Sequence, residues 1–142
     1  MTDAGDTQDQ AAAREQVLDE IRKRRGFTLP LHELMADVDV EILRRYNDLA
    51  GYVIFDPKPR ALDLKTRFLV LVGITTAVKG DPEGVEWSTR KAMEYGATER
   101  EVLEAILLAG LPAGSPAVEF AARAFTEAKE GRGWVGGGDH DG

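Results

Sequence analysis

Residues 81–96 read DPEGVEWSTRKAMEYG and carry the signals of one amphipathic helix. Asp81 suits the N-cap, Pro82 suits the first helical position, and Gly96 is a natural stop. With a period of about 3.6 residues, one face of this helix collects small and apolar side chains: Val85, Ser88, Thr89, Ala92 and Met93. The pattern therefore points the hydroxyl of Ser88 inward, towards whatever this helix packs on.

Helix-forming segments flank this stretch on both sides, and the sequence has no alternating pattern typical of β-strands. Further helices are predicted over residues 11–25, 38–52, 98–109 and 115–128, and over a segment that begins at residue 62 or 63 and ends at about residue 79. The segment 27–37 is interpreted as a connector with one helical turn at 31–36. From Phe68 to Val78 the chain is apolar on nearly every side, which favours burial in the core of the domain or of an oligomer. The sequence thus predicts an all-α fold of about six helices, built from helical hairpins.

The chain has 142 residues, which fits one domain, and its two ends differ in composition from the middle. Residues 1–10 are polar and acidic, and residues 131–142 are rich in glycine. We therefore expect a disordered N-terminal tail over residues 1–10 and a flexible tail over residues 131–142. A single all-α domain is predicted over residues 11–130.

The formal net charge of −7 and the absence of cysteine exclude several classes of function. An acidic chain lacks the basic surface that binds nucleic acid and the basic amphipathic helix that binds a membrane, so neither partner is expected. Without cysteine there is no disulfide, no thiol redox centre and no thiolate metal site. The two histidines, His32 and His140, are too few for a histidine-rich metal site. The sequence has no signal-peptide core and no apolar run that could span a bilayer, so a cytoplasmic protein is expected.

Three segments of the sequence carry a resemblance to a known family. They are DLKTRF at residues 63–68, STRKAMEYGATEREVLEA at 88–105 and GSPAV at 114–118. These segments resemble the carboxymuconolactone decarboxylase family, which includes the alkylhydroperoxidase D-like proteins. The resemblance extends over roughly residues 28–128. It implies an alkylhydroperoxidase D-like helical fold that assembles as a homo-oligomer, either a trimer or a hexamer.

The residues on which the family's chemistry depends are replaced in this sequence. In the family, a histidine lies eight residues before the glycine that corresponds to Gly96, and in the peroxidase branch two cysteines lie four and seven residues before that histidine. A glutamate at the start of the buried helix completes the proton relay. In this sequence Ser88 takes the position of the histidine, and Gly84 and Asp81 take the positions of the two cysteines. The position of the glutamate is taken by Phe68 or, with a one-residue shift, by Arg67. A thiol peroxidase or disulfide reductase is therefore excluded, because its nucleophile is a thiolate, and the decarboxylase mechanism does not carry over intact.

Glu86 and Ser88 are the candidate catalytic residues. Ser88 holds the place of the family's histidine, and its hydroxyl can orient a substrate oxygen although it is not a base near neutral pH. Glu86 lies nearby on the same helix and can place a carboxyl group at the mouth of a pocket, where it can act as general acid or base. Two structural interpretations stay open: Ser88 can bond a carbonyl of the preceding turn, and Glu86 can lie on a solvated face.

Arg67, Trp87 and His32 are the candidate substrate-binding residues. Arg67 begins a buried helix and can hold a substrate carboxylate through two hydrogen bonds, with a salt bridge to Asp63 as the alternative. Trp87 can form the wall of a pocket, or it can pack in the core or in an interface. His32 can reach a pocket from the side or from a neighbouring subunit, although a lone histidine in a connector is more often a surface residue.

Two functions are consistent with these residues and with the resemblance. The first is a decarboxylase or lyase-like enzyme of the carboxymuconolactone decarboxylase type, which uses no metal and no organic cofactor. It would act on a small carboxylated or carbonyl-bearing metabolite, with Arg67 holding the carboxylate and Glu86 with Ser88 managing a proton at the reacting carbon. The second is a non-catalytic oligomeric scaffold, or a partner subunit, that has kept the fold and lost the relay residues.

Overall fold

A computed structural model of the chain describes residues 4–58, 61–78 and 82–131. None of these residues lies in a β-strand, so the all-α prediction is confirmed for the described chain. The residues fall into two compact units, one extending to Asp56 and the other beginning at Pro57. The prediction of a single domain over residues 11–130 stays a prediction. In chain order the described elements are α1 (Ala4–Arg25), α2 (Pro30–Val38), α3 (Val40–Ala50), a π-helix (Gly51–Phe55), α4 (Leu64–Ala77), α5 (Pro82–Glu94), α6 (Glu99–Ala113) and α7 (Ser115–Lys129).

The first helix begins earlier than the sequence indicates. Residues 4–10, for which disorder is expected, form the first turns of α1. These turns are largely exposed, but they extend a helix that Val17, Leu18 and Ile21 already fix to the core of the first unit. Once a helix is nucleated, each further residue needs only the favourable propagation step. At the other end of the chain, residues 132–142 of the predicted flexible tail lie outside the described residues.

A complete helix, α2, replaces the connector predicted over residues 27–37. Pro30 takes the first helical position, which its fixed φ angle suits. The Nδ1 atom of His32 accepts the backbone N–H of Leu29 at 2.9 Å, so a side chain that gives no helix signal in the sequence closes the start of this helix. Ala36 then anchors α2 in the core of the first unit, beside Leu18 and the other buried side chains of α1.

The helix predicted to begin at residue 38 is divided in the structure. Asp39 caps a new start by accepting a backbone N–H of α3 at 2.9 Å. α3 then continues into the π-helix, a wider turn than an α-helix makes. Here the Nη1 atom of Arg24 donates to the backbone and side-chain oxygens of Asn47, at 3.2 and 3.0 Å. A Cβ atom at Gly51 would lie 2.5 Å from the same nitrogen, so the glycine leaves room for the arginine.

The second unit is a bundle in which α4 and α7 each pack against both α5 and α6. Its fully buried apolar side chains come from all four helices: Phe68, Val72, Val85, Ala92, Val102, Ile106, Ala117 and Ala121. None of the described helices is both long and apolar enough to cross a membrane.

α6 begins with the capping box that the sequence predicts. Thr98 accepts the N–H of Glu101 at 3.1 Å, and the Glu101 carboxylate accepts the N–H of Thr98 at 2.8 Å. The helix continues past its predicted end, because the loss of one donor at Pro112 does not prevent a final turn. The N–H of Gly114 closes that turn on the carbonyl of Gly110 at 2.7 Å, and Gly114 ends the helix with a φ of 97°.

α4 buries only one face within a single chain, although its sequence is apolar on nearly every side. Phe68 and Val72 lie in the core, whereas Val70 and Ile74 are about half exposed. These two side chains and Leu108 line an open groove of about 510 Å³ between α4 and α6. We call this surface the α4–α6 face.

Candidate functional site

A groove between α5 and α7, here called the α5–α7 groove, has a volume of about 430 Å³. Glu86 lines it from α5, and α7 contributes Glu119, Phe120, Arg123 and Glu127. The α7 residues recur at spacings of three and four, which places them along one side of the helix. Prolines from the first turns of both helices complete the wall. The groove therefore combines apolar walls with carboxylates and one guanidinium group.

Glu86 is the predicted catalytic residue that opens onto this groove. It is only 5% exposed and lies on the side of α5 that packs in the bundle, not on a solvated face of the helix. A carboxyl group in such a place is shielded from bulk water yet borders a cavity that a small molecule can enter. A carboxyl group at the edge of a cavity can give a proton to a bound molecule or take one from it.

Ser88 lies inward, as the periodicity of its helix predicts, and is 1% exposed. Its hydroxyl donates a hydrogen bond of 2.7 Å to the carbonyl oxygen of Gly84, one turn earlier in α5. This contact corresponds to the structural interpretation of an inward serine. The hydroxyl is thus used within its own helix.

Arg67 is buried at the start of α4, where its Nε atom donates to the carbonyl oxygen of Leu62 at 2.8 Å. The Asp63 carboxylate accepts the backbone N–H of Thr66 at 2.8 Å and caps the helix. Hydrogen bonds from Thr66 hold the pKa of Asp63 below its ordinary value, and the positive charges of Lys65 and Arg67 lower it further. Arg67 therefore helps to fix the first turn of α4, and this use of its Nε atom differs from a bidentate grip on a substrate.

Trp87 packs among aromatic side chains of the second unit. Its ring meets that of Phe68 edge to face, with centroids 5.5 Å apart and planes at 79°. Phe68 also stacks on Tyr95, again with centroids at 5.5 Å. Such pairs stabilise a core beyond the area they bury, which agrees with the packing interpretation of Trp87.

His32 lies in α2, in the first unit, and is 1% exposed, so its expected position on the surface is wrong. Its Nδ1 atom accepts the Leu29 N–H, and its ring centroid lies 5.8 Å from that of Tyr46. Burial lowers the pKa of His32, and the charge of Arg25 lowers it further, against an opposing effect of Glu33. The imidazole therefore has a structural role, because its Nδ1 atom caps the start of α2.

The charged residues of α7 that line the groove, Glu119, Arg123 and Glu127, are not among the site residues predicted from the sequence. The sequence predicts this helix over residues 115–128 and singles out none of its charged residues. The available signal is the spacing of four that places Glu119, Arg123 and Glu127 on one side of α7. The groove forms only where α5 packs beside this side of α7. No cluster of three or more His, Cys, Asp or Glu side chains that could hold a metal ion occurs in the described part of the chain.

Comparison with known proteins gives one family and two similar structures. The model of the carboxymuconolactone decarboxylase family matches residues 41–128. A protein from Burkholderia xenovorans LB400 that is named as a carboxymuconolactone decarboxylase has a similar crystal structure, with a TM-score of 0.64 and 23% identity over 87% of this chain and 99% of that one. A carboxymuconolactone decarboxylase family protein from Legionella pneumophila gives a TM-score of 0.58 and 22% identity, over 82% of this chain and 95% of that one. The comparison with curated proteins found no match. At these identities the two structures show a shared fold.

Proposed function

The chain belongs to the carboxymuconolactone decarboxylase family, and we propose that it is a cofactor-independent enzyme of the decarboxylase or lyase type. Its substrate is a small carboxylated or carbonyl-bearing metabolite, bound in the α5–α7 groove. The volume of about 430 Å³ fits a molecule of that size. The observation that carries this proposal is the carboxyl group of Glu86, which is buried and yet borders the groove.

Glu86 supplies the proton that such a reaction needs. When a carboxylate next to a carbonyl-activated carbon leaves as CO₂, the electrons of the broken C–C bond pass into the neighbouring carbonyl and form an enolate. The carbon then takes a proton from the Glu86 carboxylic acid, which is left as a carboxylate and is reprotonated from water. General acid catalysis of this kind contributes about 10²–10⁴ in rate.

Ser88 has a positioning role in this proposal. Because its hydroxyl already donates to Gly84, it fixes the first turns of α5 and thereby the direction in which Glu86 points. Arg67 has a comparable part at the start of α4, through its bond to Leu62. Neither side chain is needed as a proton carrier.

Turnover by two single variants tests the assignment. A panel of small keto acids and lactones is assayed with the wild-type protein, and the active compound is then given to Glu86→Gln and Ser88→Ala. Glu86→Gln keeps the shape and loses the proton, so we expect turnover to fall by about 10² or more. Ser88→Ala removes a bond that helps to orient Glu86 but keeps the carboxyl group, so turnover should fall by less than it does in Glu86→Gln. Full activity of Glu86→Gln would contradict the role of Glu86.

A second candidate function has its own support. Every relay position of the family is replaced, and the apolar α4–α6 face stays open in a single chain. Both features fit a non-catalytic scaffold, or a partner subunit, that assembles with itself as a trimer or hexamer. This alternative predicts that the purified protein turns over none of the keto acids and lactones, and that it co-purifies in fixed ratio with an enzyme.

A further inference from the structure

We infer that Arg123 is a further catalytic residue of the α5–α7 groove, where its guanidinium group stabilises the enolate oxygen that forms as CO₂ leaves. This inference rests on the proposed function, because it takes the groove beside Glu86 as the site of decarboxylation. It goes further by naming the group of the protein that meets the negative charge developed in the reaction.

The step proposed for Glu86 needs a partner for the carbonyl oxygen of the substrate. As the C–C bond to the carboxylate breaks, its electron pair passes into the carbonyl group, and the oxygen becomes negatively charged. In a cofactor-independent enzyme, hydrogen-bond donors of the protein stabilise such an oxygen. Glu86 does not fill this role, since it gives its proton to the carbon and becomes negative itself.

Two polar side chains predicted for the site are already used in the fold. The Ser88 hydroxyl donates to the carbonyl oxygen of Gly84 at 2.7 Å, and the Nε atom of Arg67 donates to that of Leu62 at 2.8 Å. Neither side chain is among the described residues that line the groove. The donor for the enolate oxygen must therefore come from another residue.

Arg123 is the one cation among the described residues that line the groove. Its side chain is exposed, and within the described part of the chain no hydrogen bond or ion pair engages it. It lies on α7 whereas Glu86 lies on α5, so the cation and the acid reach a bound molecule from the two walls of the groove. This arrangement suits an enolate, because the oxygen that carries the charge and the carbon that takes the proton are different atoms of one conjugated group.

The acidic side chains of the groove favour the same movement of charge. Glu119 lies one turn before Arg123 on α7, and Glu127 lies one turn after it. These charges repel a carboxylate of the substrate, whereas the CO₂ that it becomes is neutral. During the reaction the negative charge thus moves from a repelled carboxylate to an oxygen held by a cation, which lowers the barrier of the step.

Binding of para-nitrophenol to the full-length protein tests the oxyanion site without a substrate. Its phenolate, like an enolate, carries negative charge on an oxygen conjugated with carbon, and the ionised form is recognised by its yellow absorption band. Phe120 and Ala124 offer an apolar wall to the ring. At a pH near the pKa of the free phenol, we expect the protein to raise the ionised fraction in a saturable way, because the Arg123 charge stabilises the bound phenolate. A wild-type protein that leaves this fraction unchanged would overturn the inference.

Three variants locate the effect in the para-nitrophenol titration. Arg123→Gln should abolish the rise in the ionised fraction, and Arg123→Lys, which keeps the charge, should retain part of it. Arg100→Gln is the control, because it changes an exposed arginine of α6 outside the groove, and it should retain the whole rise. A rise that survives Arg123→Gln, or that Arg100→Gln also removes, would overturn the assignment to Arg123.

Steady-state kinetics with an active compound of the panel separate an oxyanion donor from a carboxylate anchor. An interaction made only in the transition state is lost from kcat, whereas one made equally in the bound substrate is lost from KM. We expect Arg123→Gln to lower kcat by about 10², with KM within about twofold of the wild-type value. This loss is at the lower end for an oxyanion donor, because the side chain is exposed. A raised KM with an unchanged kcat would overturn the inference, because it would place a carboxylate of the substrate on Arg123.

The outcome is separable from that of the proposed function. Turnover that needs Glu86 but continues at the wild-type rate in Arg123→Gln would uphold the enzyme and remove the inference. A phenolate that Arg123 stabilises, in a protein that turns over no compound of the panel, would uphold the oxyanion site and remove the enzyme.

Discussion

The imidazole of His32 serves as a hydrogen-bond acceptor, and this role requires an unprotonated Nδ1 atom. Nδ1 takes the N–H of Leu29 at the start of α2, and the ring is almost fully buried. The charged and titratable side chains that face it are Arg25 from α1, Glu33 from α2 and Tyr46 from α3. Burial and the Arg25 charge lower the pKa of His32 below its ordinary value. A proton on Nδ1 would break the hydrogen bond that caps α2. It would also place a second positive charge beside that of Arg25.

His32 should therefore make the protein less stable in mild acid. Because the folded-state pKa lies below the unfolded one, the unfolded chain binds more protons as the pH falls through about 6.5. The free energy of unfolding, measured with urea, should be constant above pH 7.5 and fall between pH 7 and pH 5. In His32→Gln this slope should disappear. The pKa values of Asp63 and Glu101 are also lowered, so the stability that these carboxylates contribute begins to be lost only near pH 5, at the acid end of this window, and that loss should persist in His32→Gln.

Two buried threonines on neighbouring helices offer a matched test of hydrogen bonding. Thr76 and Thr89 are both fully buried. The Thr76 hydroxyl donates to the carbonyl of Val72 at 2.7 Å, whereas that of Thr89 has no partner among the described residues. We expect Thr89→Val to raise the free energy of unfolding by about 1 kcal/mol and Thr76→Val to lower it by about 1 kcal/mol. Equal changes in both variants, in urea titrations, would refute this difference.

Single residues of the site were predictable only where the local period decides their direction. The inward position of Ser88 follows from the helical repeat of residues 81–96 alone. Glu86 borders a groove only because α7 packs beside α5. This packing arises in the folded bundle and cannot be inferred from the sequence of either helix alone. The same limit applies to Arg123, because its sequence position does not show that its side chain lines this groove.

Among the helices, α6 and α7 make an unusually close approach. A Cβ atom at Gly110 would overlap the side chain of Val118, so only glycine allows this packing. Gly110→Ala should therefore lower the free energy of unfolding by about 1–3 kcal/mol, in spite of the better helix propensity of alanine. Gly84→Ala is the control, because its added Cβ would meet Thr75 at an ordinary 3.5 Å. That variant should be as stable as the wild type or more so by up to about 1 kcal/mol.

Helices with complete local signals were predictable, and those fixed by distant contacts were not. The capping box of Thr98 and Glu101 and the stop at Gly96 are local, and both are present. The π-helix, in contrast, is accompanied by the bonds of Arg24 to the turn before it, and Arg24 is 23 residues away from Asn47 along the chain. No window of neighbouring residues contains that contact.

For the whole molecule, the open α4–α6 face is the feature that a single chain leaves unexplained. Leu108 is 71% exposed there, next to Val70 and Ile74, which are about half exposed. A soluble protein seldom keeps a contiguous apolar surface of this kind uncovered. A second copy of the chain is the cover that we propose, in keeping with the homo-oligomer that the family resemblance implies.

If copies of the chain cover this face, a charge placed in it should dissociate the assembly. Ile74→Glu and Leu108→Glu should each lower the molar mass measured by light scattering during gel filtration to that of one chain, 15.5 kDa. Leu34→Glu makes the same change at an exposed leucine of α2 and should leave the molar mass at the wild-type value.

Since each copy carries a net charge of −7, added salt should strengthen the wild-type assembly by screening the repulsion between copies. A wild-type protein that elutes as a single chain at every salt concentration would show that the face is not an interface between copies.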